Sequence, residues 1–340
     1  MRLFLIGFGV VNQNFIRLIK VRQKDLIKGF GINPRVVAVA DRGGVAVNPQ
    51  GLDLDQLLIY KAEKGSVGFI PEYGRLGLSP LDIIEDVEAD VVIEATPTNI
   101  KDGEPALSHI IKAIRMGMHV ISTNKGPFAL AFPIIHELAE HNGVQLRFSG
   151  TVGGGTPILQ FAKKCLRGDE IISIRGVLNG TTNYILTRME EGYPFDQALK
   201  EAQRLGIAET DPSLDIDGID SAAKLVILAN WVMKRRVTLK DVLIKGLREV
   251  NREDLITLLK QGKTIRLIAS ANDKIEVSPT QISLDDPLNI KGTLNAVTFS
   301  SKYAGDETII GRGAGGLETA SAVLRDLIDI KFSLIGNEYS

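Results

Sequence analysis

The sequence predicts an α/β protein: a doubly wound parallel sheet over residues 1–148, followed by a second, α+β domain over 149–311. Three observations carry this prediction. Up to about residue 148, short β-branched runs alternate with helical patterns, a rhythm that builds a parallel sheet with helices on both faces. The first of these runs ends in Gly7-Phe8-Gly9 and passes at once into a helical pattern. After residue 150 strands and helices segregate, as they do in α+β domains.

In the first region Arg2–Ile6, Arg35–Ala40, Asp90–Ala95, His119–Ser122 and Val144–Phe148 read as five buried strands. Helices are expected over 10–22, 104–116 and 127–141, the last with Pro127 in its first turn and Gly143 beyond its end. Residues 20–34 are expected as a long connection. The excursion from Gly43 to Pro80 is too long for a plain link and is predicted to carry its own helix near 53–64. In the second region a helix is expected at 156–167, a strand at Ile171–Leu178, and helices near 182–191, 195–205 and 217–233. Strands follow near 264–270, 274–282, 294–300 and 306–311, and a final helix over about 315–330.

Composition narrows the function. The formal net charge is −1, so a nucleic-acid or anionic-membrane partner held by bulk electrostatics is not expected. A single cysteine, Cys165, excludes an intrachain disulfide and any cysteine-based metal cluster, and fits a reducing compartment. No stretch reaches the roughly 18 apolar residues of a spanning helix. The apolar start, Leu3–Val11, contains two glycines and reads as a buried strand, not an export signal. A cytoplasmic protein is predicted.

Glycines 7 and 9 would let the backbone approach a pyrophosphate seated on the following helix N-terminus, with Phe8, Gly9, Val10 and Val11 lining the turn. Asn12 stands where a third glycine is usual, so a merely tight strand-to-helix turn is the alternative. Asp41 ends the second strand, where a ribose is expected, although farther beyond Gly9 than the usual roughly 20 residues. Lys125 follows the strand ending at Ser122, a position that points into the cofactor crevice of such a sheet; a solvated loop lysine is the bland alternative.

The densest polar stretch is 209–224, with Glu209, Asp211, Asp215, Asp217, Asp220 and Lys224. Lys224 is the only charge between Ser221 and Val232, so its helix is expected to be buried on most faces and its amine desolvated and suited to proton transfer. Asp220 lies one turn earlier on the same face. An exposed ion pair and a divalent-cation site are the competing readings. Cys165, among Phe161, Ala162 and Leu166, reads as a packed thiol; a thiol-dependent aldehyde dehydrogenase would require it as nucleophile. His109, His136 and His141 are expected in surface or satisfied roles.

Together, Gly7-Phe8-Gly9-Val10-Val11, Ala95-Thr96-Pro97-Thr98-Asn99, Asp102-Gly103-Glu104-Pro105-Ala106, Ser122-Thr123-Asn124-Lys125, Asn179 to Leu186, Gly313-Ala314-Gly315 and above all Ala202 to Lys224 resemble homoserine dehydrogenase, in the family's order and over essentially the whole chain. The resemblance implies a Rossmann domain completed by about 312–340 and a second domain for substrate binding and dimerisation, hence a homodimer. It implies NAD- or NADP-dependent interconversion of L-homoserine and L-aspartate 4-semialdehyde, the branch step toward threonine, methionine and isoleucine. Carried over residue by residue, Lys224 matches the proton donor and Lys125 the lysine between cofactor and substrate. Glu209 and Asp220 match substrate carboxylates, with Gly180 and Thr182 lining that pocket. Thr96, Pro97, Ser122, Gly206 and Gly315 match cofactor contacts. The chain is expected to be a short form lacking an ACT-type regulatory domain.

Three positions depart from the family pattern: Asn12, Arg312 before Gly313, and Ser149 where a metal-ligating glutamate is common. A monovalent cation such as Na⁺ would be held by carbonyls of Val152, Gly154 and Thr156; without that glutamate, weak or absent binding is predicted. Asp41 favours NAD, but Arg42 and Lys61, which resembles a second phosphate-contacting cation, outnumber it, so NADP(H) is expected to bind more tightly. The competing reading is a non-catalytic NAD(P)-sensing dimer, from which a buried Lys224 would separate the enzyme.

Overall fold

The computed structural model describes residues 1–336; residues 337–340, which the sequence reading placed in the first domain, lie outside the described residues. The chain divides into two compact units, Met1–Thr151 with the segment from Gly315 onward, and Val152–Ala314.

The first unit contains β1 (Arg2–Ile6), α1 (Val10–Phe30), β2 (Arg35–Asp41), β3 (Gly44–Val47), α2 (Leu54–Lys64), β4 (Gly74–Leu76), α3 (Pro80–Ile83), β5 (Val91–Glu94), α4 (Ala106–Arg115), β6 (His119–Ser122), α5 (Lys125–His141) and β7 (Leu146–Arg147). Sheet order is β4-β3-β2-β1-β5-β6-β7. β1 is central because Leu3 to Ile6 are buried on both faces, as a parallel strand covered by helices must be. It pairs in parallel with β2 on one side and β5 on the other. The chain therefore reverses its winding at β1, and the crevice beyond the carboxyl ends of β1 and β5 is where such sheets take ligands.

Several expectations are corrected here. Helix α1 runs to Phe30 and closes at Gly31, whose φ is 62°. Residues 20–30 are thus helix, and it is the length of α1 that puts Asp41 so far beyond Gly9. The apolar stripe thins between Ile19 and Leu26, both buried, because the intervening residues face solvent, which hides the helix from a periodicity reading. The excursion after Gly43 adds two antiparallel strands, β3 on β2 and β4 on β3, so one edge of the sheet is mixed. Helix α5 starts at Lys125, two residues before Pro127, with Asn124 accepting a bond from the Gly126 N–H at 3.0 Å. Only Leu146–Arg147 of the fifth expected strand pairs.

The second unit contains α6 (Ile158–Gln160), β8 (Ile171–Val177), α7 (Gly180–Glu190), α8 (Phe195–Arg204), α9 (Ser213–Ile216), α10 (Ile219–Met233), β9 (Leu243–Ile244), α11 (Arg252–Lys260), β10 (Lys263–Ala271), β11 (Ile275–Ser283), β12 (Leu294–Ser301) and β13 (Gly305–Arg312). Its sheet order is β13-β12-β8-β10-β11-β9, antiparallel except for β9 on β11. Helix α10 is buried from Ser221 through Asn230. The helix expected over 156–167 is a single α turn followed by a π turn, Phe161–Cys165. The wider turn changes which residues face inward, and Cys165 is exposed, not packed. α12 (Gly316–Leu334) returns to the first unit and packs on α1, where Gly316 leaves room for Val10. Among the described residues no helix is long and apolar enough to cross a membrane.

Candidate active site

In the first unit the β1–α1 turn is forced tight. Gly7 has φ 84°, and a Cβ there would meet the Ala95 and Thr96 backbone at 2.7 Å. Gly9 is the N-cap of α1, no side chain caps it, and the space beside its Cα is open. Val10 is exposed, Val11 half-buried and Phe8 packed in the core. This 21-residue helix thus offers an open, uncapped N-terminus to an anion, as a pyrophosphate site requires. Asn12 serves where the third glycine would: it is fully buried, and its Nδ2 donates to the carbonyls of Gly7 (2.9 Å) and Ile6 (3.3 Å), tying the helix to the strand end.

At the end of β2 the Asp41 carboxylate is already filled. Oδ1 accepts from Ser66 Oγ (2.7 Å) and Gly43 N (2.9 Å); Oδ2 accepts from Lys61 Nζ (2.7 Å) and Val67 N (3.1 Å). Burial pushes its pKa up, but those four bonds, led by Lys61, outweigh it and hold the carboxyl below its ordinary value. The ribose contact expected of Asp41 would have to displace these donors. Arg42 beside it is exposed.

At the ends of β5 and β6 lies a residue that the sequence reading missed. Glu94 is fully buried. It accepts from Thr96 N at 3.1 Å and from the Thr96 hydroxyl on one oxygen and from Ser122 Oγ at 3.3 Å on the other; His109 Nδ1 is 3.7 Å away. Ser122 Oγ accepts from Asn124 N at 3.1 Å, and Asn124 Nδ2 donates to the Thr96 and Pro97 carbonyls at 3.1 and 3.0 Å. One carboxylate therefore joins the Thr96-Pro97 loop to the start of α5, where Lys125 is half-buried. Glu94 was legible only as a lone charge at the end of the apolar run Val91–Glu94. Gly315, with φ 131°, caps α12 in this unit.

The second unit gathers the other candidates. Lys224 is 7% exposed. Its Nζ lies 2.7 Å from Asp220 and donates to the Leu178 carbonyl at 2.6 Å. Lys224 is buried and the Asp220 side chain is only 12% exposed, which removes the exposed-ion-pair reading. Asn179, N-cap of α7, donates to Asp220 at 2.9 Å and Asp215 at 2.6 Å. Burial raises the Asp215 pKa, and the Asp220 charge raises it further. Thr182 is buried and donates to the Asn179 carbonyl at 3.1 Å; at Gly180 a Cβ would meet the Thr293 carbonyl at 2.8 Å, so the backbones approach closely there. Neither Asn179 nor Asp215 was singled out as a site residue; the Asn-Gly-Thr-Thr cap signal and the acidic run were the available clues. Glu209 and Gly206 sit on the exposed turn after α8, and Gly206 is in this unit, not with the glycine turn.

The divalent-cation reading of 209–224 is overturned. Asp211 binds Ser213, Asp217 binds Arg248, and Asp215 and Asp220 bind Asn179. Among the described residues no group of three or more His, Cys, Asp or Glu could hold a metal ion.

A doubly wound sheet with an open glycine turn, and a separate unit with a buried lysine held among carboxylates, define a two-domain, nicotinamide-dinucleotide-dependent oxidoreductase. Residues 7–149 match the family model "Homoserine dehydrogenase, NAD binding domain", and residues 157–328 match "Homoserine dehydrogenase". The chain is 46% identical to the homoserine dehydrogenase of Methanocaldococcus jannaschii, covering 97% of this chain and 98% of that one. It is 39% identical to the NAD(+)-dependent homoserine dehydrogenase of Pseudomonas canavaninivorans, covering 97% and 96%. A hyperthermophilic archaeal homoserine dehydrogenase solved with NADPH superposes with a TM-score of 0.85 at 31% identity, covering 98% of each chain. The chain belongs to the homoserine dehydrogenase family.

Proposed function

We propose that this chain interconverts L-homoserine and L-aspartate 4-semialdehyde with NAD(P), in the biosynthesis of threonine, methionine and isoleucine. The observation that carries the reading is Lys224, an amine held on a buried helix between Asp220 and the Leu178 carbonyl. A site of this kind suits transfer of the proton that accompanies hydride movement, and a nucleotide sensor has no use for it.

Phe8, Gly9, Val10, Val11, Thr96, Pro97, Ser122, Lys125, Gly206 and Gly315 are assigned to the dinucleotide, with Arg42 and Lys61 toward a 2′-phosphate. The bound nicotinamide supplies or accepts the hydride. Lys224 gives the carbonyl oxygen its proton in reduction and takes the hydroxyl proton in oxidation. Asp220 holds that amine in place, and with Glu209 it takes the substrate ammonium, while Gly180 and Thr182 shape the pocket floor. Lys125 is assigned to the junction of cofactor and substrate. A cation is left out of this scheme: the Thr156 carbonyl accepts from Ile158 N at 2.8 Å, and Ser149 is bonded to Asp326 through both its N–H and its hydroxyl. The working form is a cytoplasmic homodimer with no nucleic-acid or membrane partner.

The test is homoserine-dependent reduction of NAD and of NADP by the purified chain, followed by nicotinamide absorbance. Binding of NAD(P)H without turnover would favour the sensor.

A further inference from the structure

Asn179 makes more bonds than a helix cap needs. Its Oδ1 accepts from the Thr182 N–H at 2.9 Å, which caps α7, and its Nδ2 donates to two different carboxylates, Asp215 at 2.6 Å and Asp220 at 2.9 Å. Because both oxygens sit on one nitrogen, they can be no farther apart than those two distances laid end to end. The residue is 5% exposed, so water does little to screen the two acids from each other.

We propose that Asn179 is the positioning residue of the Lys224 cluster: its amide ties Asp215 to Asp220, and Asp220 in turn holds Lys224. The inference rests on the reading that Lys224 and Asp220 act on the amino-acid substrate. Ionised carboxylates are acceptors only, so a donor shared between two of them offsets their repulsion, and a carboxamide supplies two hydrogens from one neutral nitrogen. A serine hydroxyl has one hydrogen to give and an aspartate none, yet serine, aspartate and asparagine cap helices about equally well. The Asp220 oxygen that accepts from Asn179 is also the one 2.7 Å from Lys224. The bond to Asn179 therefore bears directly on where that amine is held. Without the amide, Asp215 and Asp220 repel, and the carboxylate that orients the amine is displaced.

The side chains that share the cap function separate the two roles. Asn179→Ser and Asn179→Asp keep the helix cap and are expected to bind NAD(P)H with unchanged dissociation constants, but to melt below wild type because each leaves the two carboxylates short of a donor. Both should lose kcat/KM for homoserine, by about 10- to 150-fold, the range for hydrogen bonds to charged groups. The aspartate should be the worse, since it brings a third carboxylate. If only the cap matters, Ser and Asp keep full activity and Asn179→Ala alone fails, through stability; that result overturns the proposal. Each variant is assayed below its own melting transition, where unchanged NAD(P)H binding shows it to be folded, so lost stability is not read as lost kcat/KM. Wild-type protein that binds NAD(P)H but does not turn over homoserine removes the underlying reading together with this one, whereas active wild type with an equally active serine variant removes this one alone.

Discussion

Lys61 Nζ lies 2.7 Å from Oδ2 of Asp41, at the end of the second strand of the sheet, where a nucleotide ribose is expected. The carboxylate expected to repel a 2′-phosphate is thereby neutralised within the protein. Arg42, exposed next to it, adds a cation that nothing in this pair cancels. Arg42→Ala should therefore raise the dissociation constant of NADP(H) by about 10-fold or more, the scale of a charge-assisted bond, and leave NAD(H) nearly unchanged. Parallel titrations of the two reduced cofactors check this, and equal losses would sink it.

Lys224→Ala should lower kcat by about 10²- to 10⁴-fold, the usual contribution of a general acid–base group, without changing NAD(P)H affinity. A variant that keeps more than half the wild-type rate would refute the assignment. Asp220→Ala should act on KM for homoserine as well, because Asp220 is assigned to the substrate ammonium besides being the charged partner of the Lys224 amine.

Asp326 makes stability depend on pH. It is fully buried, and burial pushes its carboxyl up to about 6, although the Ser149 hydroxyl and N–H, at 2.6 and 2.9 Å, oppose the rise. A folded-state pKa above the unfolded one means that the folded form binds the proton more tightly. The group's contribution is therefore most favourable at low pH and is lost as pH rises from about 4 to about 6, by roughly 2–3 kcal/mol. Melting temperatures of wild type and Asp326→Asn, compared across that range, should show the wild type losing ground as pH rises. A difference independent of pH would contradict the sign.

Glu94→Gln tests whether the buried carboxylate organises the loops assigned above to the cofactor. Glutamine cannot accept all three bonds now made by Thr96 and Ser122, so one buried group loses its partner at about 1–3 kcal/mol. The expected result is a lower melting temperature together with weaker NAD(P)H binding. Unchanged cofactor affinity would show that the network supports the sheet alone.

Cys165→Ala should retain full activity, since the thiol is exposed on a π turn. Loss of turnover in an otherwise intact variant would revive the thiol-dependent reading.

Much of this protein was decided by the sequence itself. The central strands, the glycine turn and the burial of Lys224 are local facts: an apolar run such as Leu3–Ile6, two glycines at a strand end, or one lysine in an apolar helix can be read without knowing what lies opposite. What the tertiary structure alone decided is pairing. β3 and β4 are too short to announce themselves, and they exist because β2 offers an edge. Asp41 meets Lys61 across 20 residues, Asn179 meets Asp220 across 41, and Ser149 meets Asp326 across 177. Local patterning records which side chains leave water, but which buried polar groups satisfy one another depends on chain crossings that no local window contains. The departures at Asn12 and Ser149 therefore acquired meaning only when the fold supplied their partners, the Gly7 carbonyl and the Asp326 carboxylate.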